Sequence, residues 1–166
     1  REAAENLGIV LTAHAPYFIN LNSQNKEKLE KSRHHILDTA RILNSCGGLS
    51  FTFHPGFYLT ASPQETYRVI KEELTLLATE IQKDYPSLLI SPETTGKPTA
   101  FGSLEEILSL CSEIKNLNLC IDFAHLHARS RGGFNTYREF CEILENIKKM
   151  NPDLLNHLHC HISGIS

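Results

Sequence analysis

The sequence predicts an α/β protein built on parallel strands, and three observations carry that reading. Short apolar runs alternate with amphipathic helical stretches. Five of these runs each end in a residue able to bind a metal: His14, His54, Glu93, Asp122 and His161. The end residues recur roughly every 30 to 40 positions, the length of a strand-helix-strand unit.

The elements follow in order. A short helical segment precedes the first strand-like run, 8–14, and the next runs are 49–54, 88–93, 118–122 and 157–161. Residues 26–44 place Leu29, Ile36, Leu37, Ala40 and Leu43 on one helical face. Residues 63–83 do the same with Tyr67, Ile70, Leu74, Leu77, Ala78 and Ile81. Ser62-Pro63-Gln64-Glu65 has the pattern of a capping box with proline at the first helical position. Ser103 to Glu106 and Thr136 to Glu139 repeat the box for two more helices. Cys46-Gly47-Gly48 and Tyr85-Pro86 end helices before the next strand. Without a linker or low-complexity tract, residues 1–166 are expected to form one domain, a partial one with five strands. Periodicity leaves open whether the sheet is open or closed into a barrel. In both cases active sites lie at the carboxyl ends of the strands.

Strand alternation aims the five end residues at one axis. Two positions back from each stands Thr12, Thr52, Ser91, Cys120 or His159, so one face is small and polar in every strand. The opposite face carries Leu11 and Ala13, Phe51 and Phe53, Leu88 and Ile90, Leu119 and Ile121, and Leu158 and Cys160. That face is expected to pack on the helices while the polar face lines a shared interior. A single strand histidine is commonly a hydrogen-bonded core residue, and a single strand-end aspartate commonly caps a helix. Five in one register point instead to a metal centre. His34 and His35 read as solvated, His157 and His159 as inward supports behind the ligands, and His127 fits either role.

Composition narrows the function. The 166 residues are 41% hydrophobic and 21% charged, with a net charge of −3. Contact with nucleic acid would have to rest on a local patch or on metal ions. No apolar run reaches the ~20 residues that span a bilayer. The start lacks both an initiating Met and a signal-peptide pattern. Five cysteines without a C-x-x-C pair read as buried reduced thiols, which suits a cytoplasmic protein. No Ser-His or Cys-His constellation at the strand ends suggests a side-chain nucleophile. Imidazole and carboxylate ligands suit Zn²⁺ or Mn²⁺ better than Mg²⁺.

Five motifs, in order and covering nearly the whole chain, resemble those of endonuclease IV. They are His14-Ala15-Pro16-Tyr17-Phe18-Ile19-Asn20-Leu21, Phe53-His54-Pro55-Gly56, Pro92-Glu93-Thr94-Thr95-Gly96, Ile121-Asp122-Phe123-Ala124-His125 and His161-Ile162-Ser163-Gly164. The resemblance implies a TIM-type (β/α) barrel of the xylose isomerase-like kind, with about five of eight units present, roughly the third strand to the seventh. It implies a zinc-dependent apurinic/apyrimidinic endonuclease of the deoxyribonuclease IV type, acting on DNA with abasic sites in base excision repair. Such a protein would be monomeric when intact, with no obligate protein partner and no membrane. Two to three zinc ions are implied. His14 and His54 would hold one, Glu93 would bridge it to a second held by Asp122 and His161, and His125 would hold a third. Glu93 is thus the expected catalytic bridge, and Tyr17 would contact DNA.

Phe123 and the Ser163-Gly164 ending depart from residues common in that family, which blurs substrate choice. A later Asp-x-His pair and a last-strand Glu of the family are absent from this sequence. Weak incision by these 166 residues alone is therefore expected. Two other readings stand beside the nuclease: a sugar isomerase or epimerase on the same barrel, and a metal-binding chain without turnover.

Overall fold

A computed structural model describes residues 1–164. Helix α1 (Glu2–Asn6) leads into β1 (Thr12–His14), α2 (Lys26–Ser45), β2 (Ser50–Phe53), β3 (Gly56–Phe57) and α3 (Pro63–Asp84). There follow β4 (Leu89–Pro92), β5 (Ala100–Phe101), α4 (Leu104–Glu113), β6 (Cys120–Asp122), α5 (Phe123–Arg129) and α6 (Tyr137–Met150). A 3-10 helix (Pro152–His157) then precedes β7 (His159–His161).

The five strands that lead to the candidate ligands are parallel neighbours in chain order. β1 pairs with β2, β2 with β4, and β6 with β7. Parallel bridges at Ile90 to Leu117 and Glu93 to Cys120 join β4 to β6. This is the strand succession of a (β/α) barrel, as expected. The order is imposed by the helices, since each parallel pairing needs a crossover over one face of the sheet.

All three sequence-predicted capping boxes form. The Ser62 backbone N–H donates to Glu65 at 3.0 Å, that of Ser103 to Glu106 at 2.8 Å and that of Thr136 to Glu139 at 2.9 Å. Asn25, which has no partner three residues on, caps α2 by accepting from the Lys28 N–H at 3.0 Å. The apolar face lies where alternation puts it. Phe51, Phe53, Leu88, Ile90, Leu119 and Ile121 are buried together with Ile36, Ala40, Leu43, Ile70, Leu74 and Ile81 of the helices. No helix among the described residues is long and apolar enough to cross a membrane.

Several expectations are corrected. The first run is strand only over its last three residues, because the segment before it lies at the edge of the sheet and leaves Ile9 and Val10 exposed. His157 is exposed at the end of the 3-10 helix, so it does not line the interior, whereas His35 is partly buried and not fully solvated. Cys160 faces away from the site on β7, which among the described residues pairs only with β6, and with Cys46 it is an exposed thiol; Cys111 and Cys120 alone are buried. A two-stranded antiparallel ribbon, β3 with β5, was not foreseen, because two-residue strands leave no periodic trace.

Two substitutions test the packing. Phe51→Ala should lower the unfolding free energy by about 3–5 kcal/mol, as for a large buried side chain. Ser103→Ala should cost about 1 kcal/mol, the value of one cap. Urea denaturation measures both, and the ranking Phe51 above Ser103 is the expected result.

Candidate metal centre

The carboxyl ends of the five parallel strands bring His14, His54, Glu93, Asp122 and His161 together, and His125 joins them from the first turn of α5. Glu93 lies at the middle and is 1% exposed. Its Oε2 lies 3.1 Å from His14 Nε2 and 3.6 Å from His54 Nε2. Its Oε1 lies 3.0 Å from His161 Nδ1 and 3.4 Å from His125 Nδ1. Asp122 Oδ2 is 3.9 Å from His161 Nδ1 and 3.6 Å from His125 Nδ1. Two ligand sets result: the ligand atoms of His14, His54 and Glu93 lie within 4.8 Å of one another, and so do those of Glu93, Asp122 and His161.

Local structure explains each placement. Asp122 ends β6 and caps α5. Its Oδ1 accepts from the His125 N–H at 2.8 Å, which leaves Oδ2 for the site. Thr94 ties the ends of β4 and β6: its Oγ1 accepts from the Asp122 N–H at 2.9 Å, and its carbonyl lies 2.9 Å from His125 Nδ1. Gly96 sits under the His125 ring, where an added Cβ would meet His125 Cδ2 at 3.1 Å. Gly102 has a φ of +125°, and an added Cβ would meet the Glu93 carbonyl oxygen at 3.0 Å.

Hydrogen bonds organise the centre. His14 Nδ1 faces the Ala15 carbonyl at 2.7 Å while Nε2 faces Glu93, so both ring nitrogens meet acceptors. The hydrogen bond to Glu93 is the main cause that raises the pKa of His14, and it does the same for His125. Burial pushes the Glu93 carboxyl up, but the hydrogen bonds from His125 and His14 and the nearby His54 imidazole overcome it and hold it well below the usual carboxylate range. Burial and the neighbouring His161 lower His159, and burial raises the Cys120 thiol.

The donor set fits a divalent metal. His54 Nε2 is buried without a hydrogen-bond partner beside the Glu93 oxygen, and such an orphan is costly unless a ligand satisfies it. Imidazoles with shared carboxylates match transition-metal sites. With Nδ1 turned to Thr94, His125 keeps Nε2 as its remaining ligand atom. Tyr17, 60% exposed, stacks edge-on against His54 at 5.3 Å between centroids. It lines a cleft of about 210 Å³ with His54, Lys97 and His125.

Some participants were not foreseen. Thr52 donates to Glu93 at 3.3 Å, and Thr94 has the role described above. Thr94 lies in a motif and Thr52 on the ligand-facing side of its strand, but their partners lie in other strands and leave no mark in the chain. The sequence shows no Cys-His constellation, yet the structure sets Cys120 Sγ 4.0 Å from His161 Nδ1, with His159 beside them. His127 takes a structural role, its Nδ1 2.8 Å from the Gly133 carbonyl.

The pattern of the xylose isomerase-like TIM barrel family matches residues 1–163. An uncharacterized protein of Methanocaldococcus jannaschii is 42% identical, over 95% of this chain and 57% of its own length. A probable endonuclease 4 of Aquifex aeolicus is 29% identical, over 84% of this chain and 53% of its own length. The chain thus spans little more than half of these relatives. The crystal structure of endonuclease IV from Thermus thermophilus matches with a TM-score of 0.70 at 18% identity, covering 96% of this chain and 71% of that one. A D-tagatose 3-epimerase-like protein matches with a TM-score of 0.73 at 21% identity, covering 96% and 58%. The last two share the fold.

Metal content tests the geometry. After dialysis, Glu93→Gln should retain less metal than His14→Asn or Asp122→Asn, because Glu93 faces both ligand sets. Metal and protons compete for His14 and His125, whose pKa values are raised. Raised histidine pKa values extend that competition upward, so affinity should fall as pH drops from about 8 to about 6, which dialysis at the two pH values would read.

Proposed function

The chain belongs to the xylose isomerase-like TIM barrel family, and on that footing we propose that it carries the metal centre of a phosphodiesterase that cuts DNA on the 5′ side of abasic sites. Zinc is the proposed metal, with manganese as an alternative. The observation that carries this reading is the two-sided Glu93: one carboxylate oxygen faces His14 and His54, and the other faces His161 and His125. When bound there, a pair of ions supplies Lewis acidity toward the attacking and leaving oxygens of a phosphodiester.

The side chains prepare the rest. Glu93, held ionised, offsets positive charge at the centre. His14, His54, Asp122 and His161 would hold the two ions, and His125 would serve a third. Thr94 and Asp122 fix the His125 ring through its Nδ1 and its backbone N–H. Tyr17 and its neighbour Phe18, 85% exposed, offer faces on which a base or an extrahelical sugar would stack. Lys97 supplies positive charge at the cleft in a chain whose net charge is −3.

One observation favours a second reading: the similarity in fold to epimerases, such as the D-tagatose 3-epimerase-like protein. Such an enzyme would move a proton beside a ketose carbonyl. Four imidazoles against two carboxylates favour the phosphodiesterase.

Protein expressed from the full reading frame and loaded with zinc should nick a duplex at a single abasic site, on its 5′ side. Glu93→Gln should slow this by more than about 100-fold, beyond the loss typical of an outer metal partner. Chelation should abolish it. Epimerisation of a ketose without nicking would establish the second reading; metal binding with neither activity would leave a site without turnover.

A further inference from the structure

We propose that Cys120, His159 and His161 form a second, deeper metal site for a soft, thiophilic ion, and that this site competes with the outer centre for His161. Cys120 and His159 are paired across β6 and β7 and project from the same face, and His161 lies one step further along that face. The three ligand atoms all lie within 4.8 Å of one another. Cys120 Sγ is 4.0 Å from His161 Nδ1. Metal bonds of about 2.3 Å to sulfur and 2.0 Å to nitrogen together reach roughly 4.3 Å, so one ion can touch both atoms. The His159 and His161 rings stand edge to face at 4.9 Å. Cys120 is fully buried, and His159 Nδ1 is buried without a hydrogen-bond partner. The outer centre uses neither residue.

A thiolate among the donors selects soft cations over hard ones. Binding breaks the Cys120 S–H bond, sends the proton to solvent and forms the sulfur-metal bond. The His161 Nδ1 that faces the thiol is the same atom that lies 3.0 Å from Glu93 Oε1. One lone pair serves one ion, so an ion on the inner triad withdraws His161 from the outer set. This competition rests on the outer-site reading; the inner site does not.

Cadmium is a suitable probe. In protein carrying Cys46→Ser, Cys141→Ser and Cys160→Ser, one cadmium per chain should saturate a near-ultraviolet thiolate-to-cadmium band. Cys111, the other remaining thiol, donates to the Asn118 carbonyl at 3.0 Å on the helical side of the sheet. Adding Cys120→Ser should abolish the band, His159→Asn should weaken cadmium binding by about tenfold or more, and His54→Asn should leave the band in place. No band, or one that survives Cys120→Ser, overturns the site. If Cys120→Ser fails to fold, mass spectrometry of Cys120 alkylation in the unsubstituted protein replaces it: slowing by cadmium supports the site, and unchanged labelling overturns it. Zinc retained per chain should fall as cadmium is added; constant zinc beside a full band overturns the competition. A band in protein that never binds zinc would support the inner site and sink the outer reading.

Discussion

Glu93 sits at the end of β4 almost without solvent, and four imidazoles turn their nitrogens toward its two oxygens. An unpaired carboxylate at that depth would cost several kcal/mol. The histidines offset that cost, but only where every strand around Glu93 delivers its end residue to the same height. Register, strand order and the lengths of the crossovers are thus constrained by one buried charge. The same charge sets the chemistry: an acceptor with a histidine pair on each side attracts either protons or cations.

The fold meets that constraint with short-range devices. Asp122 caps α5 with one oxygen and reserves the other. Thr94 bonds the ends of two neighbouring strands, so β4 and β6 cannot slip without moving His125. Gly96 and Gly102 are small because His125 packs on one and the Glu93 backbone on the other. The motif Pro92-Glu93-Thr94-Thr95-Gly96 is therefore one candidate ligand surrounded by residues that hold it in place.

Much of this was legible in the chain. The alternation that put Thr52, Ser91 and Cys120 on the ligand face and Phe51, Ile90 and Ile121 on the other is local, and it reads directly. So do the three capping boxes, whose partners lie three residues apart. What could not be read depends on distant pairs or on edges. The hydrogen bond from Thr52 to Glu93 and the Cys120–His159–His161 triad exist only once strands are side by side. The exposure of Cys160 and His157 follows from position in the sheet, which residue type does not encode. Tyr17 stood out only through the motif around it; the structure adds that its ring leans on His54.

The ribbon of β3 and β5 joins the loop after His54 to the loop after Glu93. Arg129 fastens the same loops from α5, reaching the carbonyls of Lys97 and Ala100 at 2.9 Å and the Tyr58 hydroxyl at 3.1 Å, while Tyr58 is held by Glu106. The rim over the site is thus cross-braced. A braced loop cannot change length without breaking its ties, so the segment between Thr94 and Gly102 is closed to insertion and deletion. Diversification of substrate on this scaffold would then come from outside that segment, which stays mechanically fixed.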